Sequence, residues 1–456
     1  MEAPKKYEYN GINLEQLRKI MDPEADSAVV SLYNSKAFDQ DRNELKAMAQ
    51  NDSFAPENLP PALRKFVENE LSKKFTEDDI KQFELAREVW KENGIQFVFI
   101  LFFRALPYTY MAEKPANVLR LTQLLVTQPM RRVFETAQFV FDVMDKDWWQ
   151  PENRGILTAL KVRIMHAAMR YNLIFNFEKS TNKDLNPNDT SWNYTWGNPI
   201  SQEDLIATNQ CFSLEYFKGM EMLGQPLNEE QKNAWFYTWK AIGRIMGVQE
   251  NLLLPSVDQA WGLQKTIYNH LFDFEDHTSG ILLAKALVTC LSTFLLSTRF
   301  ILIIMKKMLF DENHPDLFYQ VLGPSFGQEY PDLFRKSRGD EDPETVQEQE
   351  KQIFFDELSH FNEKVKKYNE DIKKDYPQTR GEQTENLVDL QVNVFDEALK
   401  DLDPNNPNQR GLMSDIIKKV MNSMGGVIIS VLARYFREGK QSGFRIPTDL
   451  REHWQL

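Results

Sequence analysis

The sequence predicts an all-α protein, and three observations carry that expectation. Apolar residues recur at helical spacing from Thr76 to about residue 325. Short proline and glycine breaks divide that stretch: Leu106-Pro107, Gln128-Pro129, Gln150-Pro151, Asn198-Pro199, Gly224-Gln225-Pro226 and Leu254-Pro255. Alternating β-branched runs joined by tight glycine turns are scarce. With 31 Phe and 16 Met against 19 Gly, the chain favours large apolar helix faces over a turn-dense β architecture.

The elements follow in order. Residues 1 to 60 read as a polar N-terminal extension closed by Leu59-Pro60-Pro61. The two lysines at Lys5 and Lys6 precede no apolar stretch, so no signal peptide is expected and the product is expected to be cytoplasmic. Thr76 is placed to cap a helix with acidic residues in its first turn. Thr127 to Met144 forms the next informative helix, with Pro129 in its first turn. Gly155 to Phe175 forms another. The longest apolar run, Ile281 to Met305, is interrupted by Lys285 and Arg299. About 13 uncharged residues lie between them, short of the ~20 that span a bilayer, so a buried core helix is expected. Residues 331 to 410 carry a net charge of −8 and still show Phe355, Leu358, Phe361 and Val365 at helical spacing. They read as an acidic helical insertion with a solvated face. A last apolar helix is expected around Ile416 to Tyr435.

Composition excludes several classes. The chain has 456 residues and a formal charge of −13, a poor balance for generic binding to nucleic acid or anionic membranes. Two cysteines, Cys211 and Cys290, support neither a disulfide scaffold nor a Cys-rich metal centre, and both sit in apolar helices as expected inert thiols. His270, His277, His314, His360 and His453 show no metal-ligand spacing and read as surface residues. Trp148 and Trp149 are expected to pack near the start of the helix that follows them. Phosphate-loop, dinucleotide and nucleophile-elbow motifs are absent from the sequence.

The most informative pattern is Arg163-x-x-His166-x-x-x-Arg170. On a helical wheel Leu157, Leu160, Ile164, Ala168 and Tyr171 define one apolar face, while Arg163, His166 and Arg170 share an arc of roughly 60° on the far side. Val162, Met169 and Leu173 flank His166. A helix apolar over most of its circumference is buried, and buried guanidiniums need anionic partners. Few carboxylates stand out in the neighbouring helices. Two readings are open. A carboxylate-bearing cofactor such as haem would pair with both arginines and take His166 on its iron. Alternatively, His166 is a core histidine and the arginines pair with helix C-termini or glutamates. One helix earlier, Arg132 and Thr136 lie one turn apart and can touch the same polar atom beside an apolar wall. A solvated arginine and a back-bonded threonine is the other reading of that pair.

The segment Ala105-Leu-Pro-Tyr-Thr-Tyr-Met-Ala-Glu113, the Arg132-x-x-x-Thr136 pair and the Arg-His-Arg stripe together resemble the catalytic domain of the latex-clearing protein (rubber oxygenase) family. The resemblance continues through Asn198-Pro-Ile-Ser-x-x-Asp204, Leu223-Gly224, Trp239-x-x-Ile242-Gly243-x-x-Met246-Gly247-Val248 and Leu253-Leu254-Pro255. It ends with Phe444-Arg-Ile-Pro-x-x-Leu450-x-x-x-Trp454. It covers roughly residues 55 to 325 and the tail. It implies a globin-like helical core over residues 61–330, completed by residues 411–456, holding one haem b. It implies His166 as iron ligand, Arg163 and Arg170 as residues that help hold the haem, and Arg132 and Thr136 near the pocket. It further implies cleavage or oxidation of a C=C bond in an isoprenoid or other unsaturated hydrophobic substrate, with O2 as co-substrate. Glu113 is the candidate for an upstream base. Glu135 stands where family enzymes carry a lysine, and the acidic insertion has no counterpart in the family pattern. A non-catalytic haem or lipid carrier on the same fold is the alternative, and a helical interaction protein working through its acidic insertion is a third.

Overall fold

The computed structural model describes residues 7–34, 56–121, 129–176, 192–274, 277–295, 297–312, 314–334, seven positions between 352 and 363, and 447–453. The expected terminal helix at Ile416–Tyr435, nearly all of the acidic insertion, and Trp454 lie outside them. Within the described residues the fold is all-α, apart from one short hairpin.

That hairpin pairs β1 (Glu8–Tyr9) with β2 (Ile12–Asn13), with Tyr9 opposite Ile12. Its turn is Asn10-Gly11, both at positive φ, the conformation a two-residue hairpin turn requires. Helix α1 (Leu14–Leu17) is capped by Asn13, and α2 (Pro23–Tyr33) by Asp22, with Pro23 fitting the first turn. Residues 14–33 were set apart in the sequence as part of a polar extension. In the structure they join the core: Ala25, Val29 and Leu32 are buried, and α2 packs along the helix that carries His166.

Helix α3 (Pro61–Leu71) leads to α4 (Glu77–Ile100), where the expected Thr76 cap is present as a full capping box with Asp79. The chain then widens into a π-helical turn, Leu101–Ala105, before α5 (Leu106–Thr109) and α6 (Glu113–Leu121). Helices α7 (Pro129–Val143) and α8 (Arg154–Tyr171) form a hairpin, and α8 ends in a second π-turn, Asn172–Asn176. Helix α9 (Gln202–Gln210), a third π-turn (Cys211–Glu215) and α10 (Tyr216–Met222) run on from one another.

Helix α11 (Glu229–Ile245) packs most extensively against α4, through Trp90, Phe97, Trp235 and Trp239. Helix α12 (Val257–Leu271) covers α9. The apolar run expected as one helix is two, α13 (Thr278–Leu295) and α14 (Thr298–Met308), because Ser297 interrupts the first and caps the second. Among the described residues no helix is long and apolar enough to cross a membrane. Short helices α15 (Leu317–Leu322), α16 (Pro324–Glu329) and α17 (Thr448–His453) complete the described chain, and α17 is tied back by an Arg87–Asp449 ion pair of 2.6 Å.

Candidate functional site

The α7–α8 hairpin is set by one carboxylate. Asp142, buried near the end of α7, accepts from Thr158 Oγ1 (2.8 Å), Arg154 Nε (2.9 Å) and Gln138 Nε2 (2.6 Å). Burial pushes its carboxyl above the ordinary range, and these donors only partly offset that. Gly155 seats the first turn of α8 against Trp148, where a Cβ would stand 2.6 Å from the Asp142 carbonyl oxygen. Trp148 thus packs at the start of α8, and its carbonyl accepts from Ile156 N. Counted from the Asp142–Thr158 hydrogen bond, Thr136 lies about 9 Å back along α7 and His166 about 12 Å onward along α8. The hairpin therefore brings these two residues to similar heights. Thr136 and its neighbour Glu135 are half-buried. Arg132 lies in α7, and its side chain is outside the described residues.

Along α8, Ile156, Ala159, Leu160, Ile164, Ala167 and Ala168 are buried. Val162, Met165, His166 and Met169 form a half-buried band beside them. His166 thus sits on an apolar, partly open face, with its Nδ1 atom buried. No group of three or more His, Cys, Asp or Glu side chains arranged to hold a metal ion occurs among the described residues. A single imidazole ligand suits an iron whose other ligands come with a macrocycle. Half-buried apolar side chains around that imidazole suit the face of such a group. The donor set at His166 therefore fits haem.

The arginines have protein partners of their own. Arg163 Nε and Nη2 grip the Asp22 carboxylate at 2.7 and 2.9 Å. The same guanidinium reaches Glu24 (3.0 Å) and Glu70 (3.3 Å) and donates to the Ile245 carbonyl (3.3 Å). Arg170 Nε meets Asp26 Oδ1 at 2.7 Å, and its Nη1 donates to the Ile200 carbonyl at 3.2 Å. The premise that neighbouring helices supply few carboxylates is thereby corrected. Asp22 at the cap of α2, Glu24 and Asp26 within α2, and Glu70 on α3 pair with the two cations. Asp22 and Glu70 hold the Arg163 pKa even further above its ordinary value, against the opposing effect of burial. Desolvation raises the Asp26 carboxyl, and Arg170 works against that rise.

Glu113, the candidate base, is also already engaged. Its Oε1 accepts from Ser279 N and its Oε2 from Gly280 N, each at 3.1 Å, so it caps the N-terminus of α13. Its Oε1 also accepts from Asn117 Nδ2 at 3.2 Å. A carboxylate held this way is a structural cap.

Two clusters escaped the sequence reading. His270 is buried, contrary to the expectation of a surface histidine. It lies between Glu203 Oε1 (2.7 Å from Nδ1) and Glu15 Oε1 (3.1 Å from Nε2). His360 and His453 are exposed as expected. The second cluster joins the two π-turns that face each other. Arg104 Nε stands 2.8 Å from Glu215 Oε2, and Tyr268 donates to Glu215 Oε1 at 2.8 Å. Cys211 lies 3.8 Å from the same Tyr268 hydroxyl. Burial holds the Cys211 thiol far above its ordinary range, so it is inert, and Cys290 is pushed up to about 12 for the same reason. No local spacing marks such pairs, because their members lie on separate helices.

The described fold is helical, and part of the chain is similar to known oxygenase catalytic domains. Residues 94–308, from the end of α4 to the end of α14, match the family described as ER-bound oxygenase mpaB/B'/rubber oxygenase, catalytic domain. That stretch contains Arg132, Thr136, Arg163, His166 and Arg170. The chain is 24% identical over 260 residues to the rubber oxygenase of Streptomyces sp. (strain K30), an alignment covering 54% of this chain. It spans 58% of that relative's length. Among solved structures it is similar in fold to latex clearing protein LCP in its closed state, with a TM-score of 0.53, 17% identity, and coverage of 97% of this chain and 98% of the other.

Proposed function

We propose that this chain is a haem b-dependent oxygenase that uses O2 to cleave or oxidise a C=C bond of an isoprenoid or other unsaturated hydrophobic substrate. The observation that carries the reading is the match of residues 94–308 to an oxygenase catalytic domain, with His166 on the half-buried apolar face of α8 inside it. Haem b supplies the dioxygen chemistry when bound. His166 offers a neutral imidazole to hold it. Val162, Met165 and Met169 give that face an apolar lining that excludes water and suits both a macrocycle and a hydrocarbon chain. Thr136 offers a hydroxyl at a similar height on α7, and Arg132 stands one turn before it. Glu113, engaged at the α13 cap, is not assigned a proton-transfer role, and Arg163 and Arg170 are not assigned to the propionates.

The capping of α13 by Glu113 favours a second reading, a non-catalytic haem or lipid carrier that keeps His166 without a base at that position. One experiment tests both. The visible spectrum of the purified protein is recorded before and after haem addition, for wild type and His166→Ala. A Soret band lost in the variant is the expected result, and absence of stoichiometric haem in wild type overturns both readings. Haem-loaded wild type is then incubated with an oligo-isoprenoid under O2. Carbonyl-ended fragments are expected of an oxygenase, and their absence supports the carrier.

A further inference from the structure

We infer that Asp22 and Asp26 are positioning residues for His166, acting through Arg163 and Arg170. The inference rests on the reading of His166 as a ligand, but its geometry does not. Arg163 and Arg170 are seven residues apart on α8, about 10 Å along the axis. Both are buried, and both are gripped from one helix, α2, by carboxylates one turn apart. Asp22 also caps α2 through Ala25 N, and its own amide donates to Asp26 Oδ2 at 3.1 Å, so the two carboxylates are themselves fixed in place. The guanidiniums reach further, to the Ile245 carbonyl at the end of α11 and the Ile200 carbonyl before α9. Two attachment points on one helix fix both its slide and its rotation.

His166 lies between those points, on the face adjoining them. A 20° rotation of α8 would carry a side-chain tip, about 5–6 Å from the axis, through about 2 Å. A functional side chain tolerates about 0.5 Å of displacement. The ion pairs thus add directional anchors for the azimuth of the imidazole to the non-directional apolar packing of Ile156, Leu160 and Ile164. The holding residues precede residue 94, where the matched oxygenase domain begins. The N-terminal helix is accordingly part of the site's working unit.

The test uses Asp26→Asn, Asp26→Glu and Asp22→Asn, with Thr76→Ala as a control that weakens a helix cap away from α8. In haem-loaded protein the ferrous iron–histidine stretch is followed by resonance Raman spectroscopy and haem loss by transfer to an apo-globin. The Asn variants are expected to shift or broaden the stretch and to lose haem about 10-fold faster, the low end of the cost of losing a direct partner of a metal ligand, since they act one residue further out. Asp26→Glu is expected to restore both, and Thr76→Ala to change neither. In haem-free protein, selectively labelled histidine is observed by NMR. Asp26→Asn is expected to move or split the His166 ring signal while the exposed His360 and His453 signals stay in place. Wild type that takes up no haem overturns the ligand reading but leaves this NMR readout intact. An unchanged His166 signal, or unchanged stretch and haem loss in folded Asn variants, overturns the positioning role.

Discussion

Gly247 and the Asp22 carboxylate are packed so closely that no side chain fits between them. A Cβ on Gly247 would collide with Asp22 Oδ2 and stand 2.8 Å from Arg163 Nε. Its φ of +89° lies in the region L side chains avoid. The Met246-Gly247-Val248 motif therefore has a physical reason: the turn after α11 must pass over a buried ion pair without touching it. Gly247→Ala is expected to cost at least about 2 kcal/mol, combining left-handed strain of about 1–2 kcal/mol with displacement of a buried pair. Urea unfolding measures this. A loss under about 0.5 kcal/mol would mean that the Asp22–Arg163 pair moves aside freely, and the grip on α8 would be loose.

The Arg104–Glu215 pair gives a prediction independent of any cofactor. Both residues are fully buried on facing π-turns, and Arg104 Nη1 also donates to the Met308 carbonyl at 2.7 Å. Glu215→Leu leaves a buried guanidinium with its charge uncompensated and is expected to cost about 3–5 kcal/mol. The double variant Arg104→Met/Glu215→Leu removes both charges and is expected to cost less than the Glu215 change alone. A double-mutant cycle by chemical denaturation checks this. If the double variant loses the sum of the two single losses, the pair does not act as a unit.

The helices were legible in sequence where their signals are local. Thr76 with Asp79, Pro129 in the first turn of α7 and the apolar period of α8 all describe a few consecutive turns, and the structure has each. The Ser201–Asp204 capping box likewise explains the Asn198-Pro-Ile-Ser-x-x-Asp motif as a helix start, which Arg18 reinforces through Ser201 Oγ at 3.0 Å. The partners of Arg163 and Arg170 were not legible. The wheel of α8 shows that two cations are buried but not what faces them, and the facing carboxylates lie far earlier in the chain, at the cap of α2 and on α2 and α3. The same limit hid His270, whose partners Glu203 and Glu15 belong to α9 and α1. Glu113 illustrates the converse: its neighbourhood in sequence suggested chemistry, while its contact with α13, set by tertiary packing, makes it a cap.

The start of α4 supplies a pH-dependent prediction. Asp79 accepts from the Thr76 amide at 2.6 Å and from Thr76 Oγ1 at 2.7 Å, and its other oxygen accepts from the Tyr237 hydroxyl on α11. Burial pushes its carboxyl up, but the Tyr237 and Thr76 donors, with Arg244 nearby, hold it below the ordinary carboxylate range. A carboxylate with a depressed folded pKa binds fewer protons in the fold than in the unfolded chain. Its stabilising contribution is therefore complete above the unfolded value of about 4 and is lost as pH falls through the folded one. Asp79→Asn keeps the shape and removes the charge. Its stability deficit against wild type is expected to be constant from pH 6 to 8 and to close as pH drops below about 4. The same hydrogen bond acts in the opposite sense on Tyr237, whose hydroxyl it pushes up to about 12. Wild type is expected to lose that contribution as pH rises from about 10 towards about 12, whereas Tyr237→Phe shows no such decline from this position. Unfolding curves of the three proteins across both windows check the pair. A deficit for Asp79→Asn that persists unchanged at pH 3 would place the stabilising interaction in the side chain's shape and not in its charge.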